Sequence, residues 1–556
     1  MISPLGISPG RHVKEKHEMA HSNLSLRNQK LQALPLISTI ALSILLSTPS
    51  HAQSAGLKLN EKAAYDGLNL FAPLGSGTTY LMDNEGRFVH KWDSEYRPGN
   101  QAYLLPNGDL LRAASYGRDG NGTFHGGGAG FRVEQFDWDG NKVWDFVYAS
   151  DEHLMHHDIE PLPNGNVLIL AWEMKTKDEA IAAGRNPESL RDGELWSEQI
   201  IEVKPTHPEG GEIVWEWHLW DHLVQDSDAT KSNYGDVAAH PELVDIDPPG
   251  YWMDRMTPEE MEQLEALGYL GAEDKAKQLQ PDRRGASADW LHINAIAYNP
   301  VLDLIALSAL GNNELWILDH STTTAVAGAH QGGRYGKGGD LLYRWGNPLA
   351  YRLGTASDQQ LYAQHDVHWI PEGLPGAGDL MVFNNGRGRS DGTYSSVVQI
   401  TPPFSKDSGF HRAEGTAWGP AKPAWEYTSP NKEDFNSSNI SGAQRQPNGN
   451  TLICEGASGT FFEVTADKKE VWRYQSVAIA PQPANASQNP GARGRGGRGG
   501  RGGGVFRVYR FAHDYPAFAG KDLTPGPALT DYVKDHPPAP TKKLDDEVSV
   551  KRDQTD

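Results

Sequence analysis

Six times along the chain a tryptophan closes a short apolar stretch: Trp92, Trp144, Trp215, Trp345, Trp425 and Trp472, in the frames FVHKWD, NKVWDF, EIVWEW, LLYRWG, KPAWEY and KEVWRY. Recurrence of this kind marks a repeat architecture built from one supersecondary unit. The gaps are uneven, so insertions separate some units. A second signature precedes three of the frames: PNGDLL (106–111), PNGNVLIL (163–170) and PNGNTLIC (447–454). NPVLDLIAL (299–307) and GAGDLMVF (376–383) are looser versions of it. Asn-Gly between apolar runs predicts a hairpin with a two-residue turn, which needs positive φ. Each unit then reads as strand, tight turn, strand, looser turn, strand and a Trp-bearing outer strand.

Such a unit cannot bury both faces of its sheet alone, and a ring of neighbours solves that. The expected fold is all-β, a six-bladed β-propeller. Only five units carry the inner-strand signature. TTYLMDNEGRFVHKWD (78–93) has no inner strand before it, and GVFRVYRFAHDYPAF (504–518) has no outer strands after it. Pairing these chain ends completes the sixth blade and removes two sheet edges.

The formal charge of −21 argues against a nucleic-acid partner. Arg27 and Lys30, the apolar run 31–47 and Ser50-His51-Ala52 read as an export signal, with residues 1–52 expected to be removed and Met19 an alternative start. The expected location is periplasmic or secreted, with no membrane contact after cleavage. The propeller spans 53–536. An insert between the second and third blades (222–288) carries a short helix over 256–270, where Thr257 and Glu260 have capping-box spacing. Residues 485–504 form a Gly/Arg-rich loop and 537–556 a disordered tail. Cys454, the single cysteine, lies in an apolar strand and is expected to be buried and inert. A homodimer is compatible with the sequence.

Aligning the units on their hairpin turns puts His157, His292 and His365 in one slot, at the start of the innermost strand of the second, third and fourth units. Asn100 and Ser441 occupy the slot in the first and fifth. Innermost strands line a propeller's channel, so three imidazoles are expected to meet at one mouth, with Asn100 and Ser441 on the rim. Asn294, two residues past its histidine, returns to the channel face and offers a donor to an anion. Asp158 and Asp366 are expected to orient the rings. Three such histidines suit a metal site, or a nucleophile, an acid and an anion binder.

The segments HHDIEPLPNGN (156–166), DWLHINAIAYNP (289–300), QHDVHWIP (364–371) and SGAQRQPNGNTLICEGASGTFFEV (441–464) resemble those of bacterial arylsulfate sulfotransferases, from about Tyr65 to about Leu523. The resemblance implies a periplasmic six-bladed propeller without a cofactor. It implies sulfuryl transfer from an aryl sulfate to a phenol through a sulfated histidine, independent of a nucleotide sulfate. His365 is then the nucleophile and His157 and His292 its helpers. The arginine that the family carries on the following strand is Leu310 here. Arg387 and Arg389 in VFNNGRGRSDG (382–392), or Arg334 and Lys337 in GGRYGKGGD (332–340), are alternative sources of positive charge. The rival functions are a metal-dependent hydrolase or lyase with a three-His site and a non-catalytic binding propeller.

Overall fold

The structure, a computed structural model, describes residues 54–116, 124, 126–190, 192–248, 288–477, 504–538 and 540–542. The export segment, the helix expected over 256–270 and the Arg-Gly stretch before Gly504 lie outside the described residues. No helix among the described residues is long and apolar enough to cross a membrane.

Six antiparallel four-stranded sheets follow one another in chain order, with one exception that closes the ring. Their innermost strands are Arg97–Leu104, His153–Pro161, Ile293–Asn299, His365–Trp369, Gly442–Arg445 and Val505–Phe511. The last pairs with Leu68–Pro73, followed outward by Thr78–Met82 and Phe88–Asp93. The sixth blade therefore takes its inner strand from the C-terminal side and three strands from the N-terminal side. A second tie carries no repeat signal in the sequence: Gly56–Asn60 adds a fifth strand outside the fifth blade.

All six repeat tryptophans lie on fourth strands, and the reason is a ring of hydrogen bonds. Each indole N–H reaches the turn region before the outer strand of the next blade. The acceptors are Asp137 O for Trp92 (3.0 Å), Gly210 O for Trp144 (2.8 Å), Thr322 Oγ1 for Trp215 (3.1 Å), Pro420 O for Trp345 (2.7 Å), Ala466 O for Trp425 (3.2 Å) and Asn84 O for Trp472 (2.8 Å). A residue that fills space between sheets and donates at its rim performs both tasks. The apolar core is layered in the same way. Ala295, Leu304 and Ile317 of the third blade pack against Val367, Leu380 and Val398 of the fourth, and each neighbouring pair of blades has a comparable layer.

The three Pro-Asn-Gly turns differ from the two-residue form expected. Gly108 N–H donates to Leu105 O at 2.9 Å, and Leu105 N–H to Asp109 O at 2.8 Å; Leu162–Asn166 and Gln446–Asn450 repeat the pattern. Only the glycines, Gly108, Gly165 and Gly449, have positive φ. This is a type I turn followed by a left-handed residue, with proline fixing the first central φ.

After the ring closes, Leu529–Asp535 forms a helix against the sixth blade, with Leu529 buried and Tyr532 stacked on Phe88 at 3.8 Å. Lys542 falls in the tail expected to be disordered. Its N–H donates to Glu95 O at 2.7 Å and its Nζ to Glu95 Oε2 at 2.9 Å.

Candidate functional site in the channel

His157 and His292 face each other edge to face, ring centroids 4.4 Å apart. The charge of His365 would be felt by His157, and that of His292 by His365. All three are buried, none more than 5% exposed. The slot is conformationally unusual. Asn100, His157, His292 and Ser441 all have positive φ, as does Asp366 beside His365. Four of the inner strands are bulged here, with extra residues opposite the second strand. Non-glycine residues adopt such φ only where the surroundings fix them, and such sites cluster at functional positions.

The scaffold grips each ring by the same nitrogen. His365 Nδ1 lies 2.8 Å from Asn385 Oδ1 and 3.2 Å from Ala363 O, both acceptors, so Nδ1 carries the proton. Asn385 is itself fixed, its amide donating to Ser437 O and Ile440 O. The lone pair is then on Nε2, which accepts from Ile440 N–H at 3.2 Å. His292 Nδ1 is 2.5 Å from Asp289 Oδ2. His157 Nδ1 is 2.9 Å from His156 Nδ1, whose Nε2 is 2.9 Å from Glu198 Oε2. Burial, with His292 beside it, pushes His157 well below the usual imidazole range; burial lowers His156 and His365 to about 3. These rings are neutral bases at ordinary pH.

A glycine segment roofs His157. Gly128 O accepts from His157 N–H at 2.8 Å, and a Cβ on Gly128 would stand 2.3 Å from His157 Nε2. Only a bare α-carbon with φ of +78° fits there.

Asp158 and Asp366 do not hold the histidines, contrary to the alternation argument. The bulge breaks the two-residue period, and both carboxylates close on Arg507, from the last strand of the propeller. Arg507 Nη1 is 2.9 Å from Asp158 Oδ2, and Nε is 2.9 Å from Asp366 Oδ1, although the latter contact is poorly aligned as a hydrogen bond. Arg507 Nη2 has no hydrogen-bond partner among the described residues. Asp158 also accepts from Ile296 N–H, and Asp366 from Ala443 N–H. One buried guanidinium thus ties the second, fourth and sixth blades together, while the two aspartates reach the third and fifth.

The remaining candidates divide. Asn100 Nδ2 is a buried donor with no partner among the described residues. Asn294 spends its amide donor on Gln364 O at 2.9 Å, and its atom without a partner among the described residues is the acceptor Oδ1. Ser441 bonds Ser437 Oγ and Gly456 N–H and braces the loop around Ile440. Arg387 is buried close enough to depress the basicity of His365. Arg389 is drawn away to Ser396 Oγ at 2.8 Å and stacks on Tyr394. Leu310 is buried. Arg334 and Lys337 line a separate 740 Å³ groove with Tyr335, Phe410 and Trp418. Among the described residues, the group bringing three ligand atoms within 4.8 Å of one another is His222, His330 and Asp340, not the channel histidines.

Solved structures of low sequence identity are similar to the chain at low TM-score. A protein of unknown function from Bacteroides caccae matches at 10% identity, covering 80% of this chain and 99% of that one, with a TM-score of 0.39. The periplasmic gluconolactonase of Pseudomonas aeruginosa matches at 10% identity, covering 74% and 96%, with a TM-score of 0.35. The Dos1 propeller matches at 12% identity, covering 76% and 75%, with a TM-score of 0.29. Likenesses at this level carry no argument about function. No curated protein matches the chain. The family model for arylsulfotransferase (ASST) matches residues 55–485, and the chain belongs to that family.

Proposed function

We propose that the protein transfers a sulfuryl group from an aryl sulfate to a phenol, with His365 Nε2 as the nucleophile. The observation that carries this reading is the fixed tautomer of His365. Asn385 Oδ1 and Ala363 O take the Nδ1 proton, so Nε2 keeps a lone pair. Burial keeps that lone pair unprotonated. The lone pair attacks sulfur, the S–O bond to the aryl group breaks, and the phenolic oxygen departs with the bonding pair. Ile440 N–H, resting on Nε2, is displaced and becomes a donor for a sulfuryl oxygen. Arg387, Asn100 and Arg507 Nη2 supply further positive character, in place of the arginine that Leu310 replaces. A phenol then attacks the sulfohistidine, which makes the kinetics ping-pong.

Burial favours transfer over hydrolysis, because bulk water has poor access to the intermediate. The location proposed for this reaction is the periplasm or the exterior. In the test, an aryl sulfate without acceptor should leave one acid-labile sulfuryl group on His365, discharged by added phenol. His365→Ala should abolish labelling. His157→Ala and His292→Ala should slow it. Turnover independent of phenol would make the enzyme a sulfatase, and full transfer by His365→Ala would overturn the assignment.

A further inference from the structure

We propose that Glu198, His156 and His157 form a proton relay serving the phenolic oxygens of the transfer reaction. The proposal rests on the sulfuryl-transfer reading and adds two groups buried behind the channel. The chain is continuous: Glu198 Oε2 to His156 Nε2, 2.9 Å; His156 Nδ1 to His157 Nδ1, 2.9 Å; then His157 Nε2, with no partner among the described residues. Each link is a rigid one. His156 stacks on Trp172 at 4.2 Å, and Glu198 Oε1 accepts from Ile293 N–H at 2.9 Å. All three groups are buried. Asp289 and His292 face Glu198 and His156, while His292, His365 and Arg507 face His157.

The chain has two proton arrangements without a charged imidazole. In the first, Glu198 is a carboxylic acid donating to His156 Nε2, His156 Nδ1–H donates to His157 Nδ1, and His157 Nε2–H faces the channel. Burial raises Glu198 well above the usual carboxylate range, which favours this arrangement at rest. As the S–O bond of the aryl sulfate breaks, the leaving oxygen takes the proton from His157 Nε2. His157 Nδ1 takes one from His156 Nδ1, and His156 Nε2 takes one from Glu198. A neutral phenol departs, both imidazoles stay neutral, and Glu198 is left as carboxylate. The entering phenol returns its proton along the same path as its oxygen attacks sulfur.

Glu198→Gln tests the relay, because the amide keeps both hydrogen bonds and cannot pass a proton on. With 4-nitrophenyl sulfate, whose leaving group needs no proton, His365 labelling should stay within a few-fold of wild type. With phenyl sulfate it should fall by about 10²–10⁴, the usual share of general acid catalysis. The dependence of rate on leaving-group basicity should steepen. An equal fall with both sulfates would reduce Glu198 to a structural role and sink the relay. If Glu198→Gln does not fold, the wild-type solvent isotope effect decides: a multi-proton effect with phenyl sulfate supports the relay, and none overturns it. Failure of wild type to label His365 would instead remove the underlying reading.

A separate observation carries a second site. We infer that His222, His330 and Asp340 hold a divalent transition-metal cation such as Zn²⁺. His222 Nε2 lies 2.8 Å from Ala327 O, so that nitrogen bears the proton and Nδ1 carries a lone pair. Yet Nδ1 points at Asp340 Oδ1 from 2.8 Å, and His330 Nδ1 reaches the same oxygen at 2.8 Å. Something positive must sit between these electron-rich atoms: an extra proton or a metal. Two imidazole nitrogens and a carboxylate are a zinc set with one position left open. Tetrahedral zinc spaces its ligand atoms about 3.3 Å apart, so each contact need open by only about 0.5 Å. His330 is exposed and able to move, whereas His222 is buried and stacked on Trp217.

Untagged full-length protein stripped of metal should take up one Zn²⁺ per chain with a rise in Tm, and Co²⁺ should give tetrahedral visible bands. His330→Ala should weaken uptake by roughly tenfold or more, since even outer partners of metal ligands commonly matter that much. Labelling of His365 should be unchanged. No uptake, or uptake indifferent to His330→Ala, would leave a shared proton as the explanation and discard the site.

Discussion

Arg507→Met offers a quantitative test of how the channel is held together. Arg507 is buried and meets two buried carboxylates at 2.9 Å each. Removing one partner of a buried ion pair typically costs about 3–5 kcal/mol, because the other charge stays behind unpaired. Unfolding entropy of roughly 2.1 cal/mol/K per residue over about 400 residues is about 0.8 kcal/mol/K, so Tm should fall by about 4–6 °C. Calorimetry of the single, double and triple variants separates charge from packing. Adding Asp158→Asn and Asp366→Asn removes the orphaned charges while keeping acceptors for Ile296 N–H and Ala443 N–H. The triple variant should recover to within about 1–2 kcal/mol of wild type, since neutral replacement of buried pairs is often near neutral. Simple addition of three losses would refute the reasoning.

Acid provides the second arm. In the wild type, burial raises Asp158 despite Arg507; burial also pushes Asp366 upward, but Arg507 and His368 outweigh it and leave it lowered. Without Arg507 both should rise above their unfolded values. The folded variant then binds more protons than the unfolded chain, so its stability falls as pH rises through those values. Its deficit against wild type should therefore shrink on acidification. A deficit that grows towards acid would contradict the assignment.

Three further outcomes follow from the same geometry. Trp472→Phe, which leaves Asn84 O without its indole donor, should lose about 1–3 kcal/mol in denaturant unfolding, and no loss would remove the role given to the indole ring. Gly128→Ala should cut aryl sulfate turnover more than tenfold, because its Cβ would meet His157 Nε2 at 2.3 Å; full turnover would mean the roof moves freely. The rate of His365 labelling should show no acid limb from this imidazole until pH nears about 3, since the nucleophile is active when neutral; for a base with a lowered pKa, protonation begins only there, and a limb near the ordinary histidine value would place the nucleophile elsewhere.

Much of the ring was legible because each repeat signal reports a local necessity. A tryptophan at the outer strand must both fill an interblade gap and donate at its rim, and proline-asparagine-glycine must turn. The strands Leu68–Pro73 and Gly56–Asn60 carry neither signal, so the closing blade was read without its second strand and the fifth blade without its edge strand. The histidine slot was legible from register alone. Its supports were not. Asp289 stands three residues before His292, a spacing visible in hindsight, but Glu198, Asn385 and Arg507 come from other strands or blades and meet the site only in three dimensions. The error over Asp158 and Asp366 has one cause: period-two alternation was carried through a bulge, where it fails.

That bulge also explains why closure of the ring and construction of the site are one event. Extra residues at the slot turn Asp158 and Asp366 toward the channel, where two buried carboxylates need a cation. No described residue of the second or fourth blade supplies it. The cation arrives on Val505–Phe511, the strand that completes the sixth blade. Until that strand docks against Leu68–Pro73, the carboxylates next to His157 and His365 lack their counterion, and the slot has no reason to hold its strained φ values. Docking supplies sheet pairing at the rim and charge at the centre together. A chain closed by an unrelated strand would regain the first and not the second, so the last strand belongs as much to the site as to the fold.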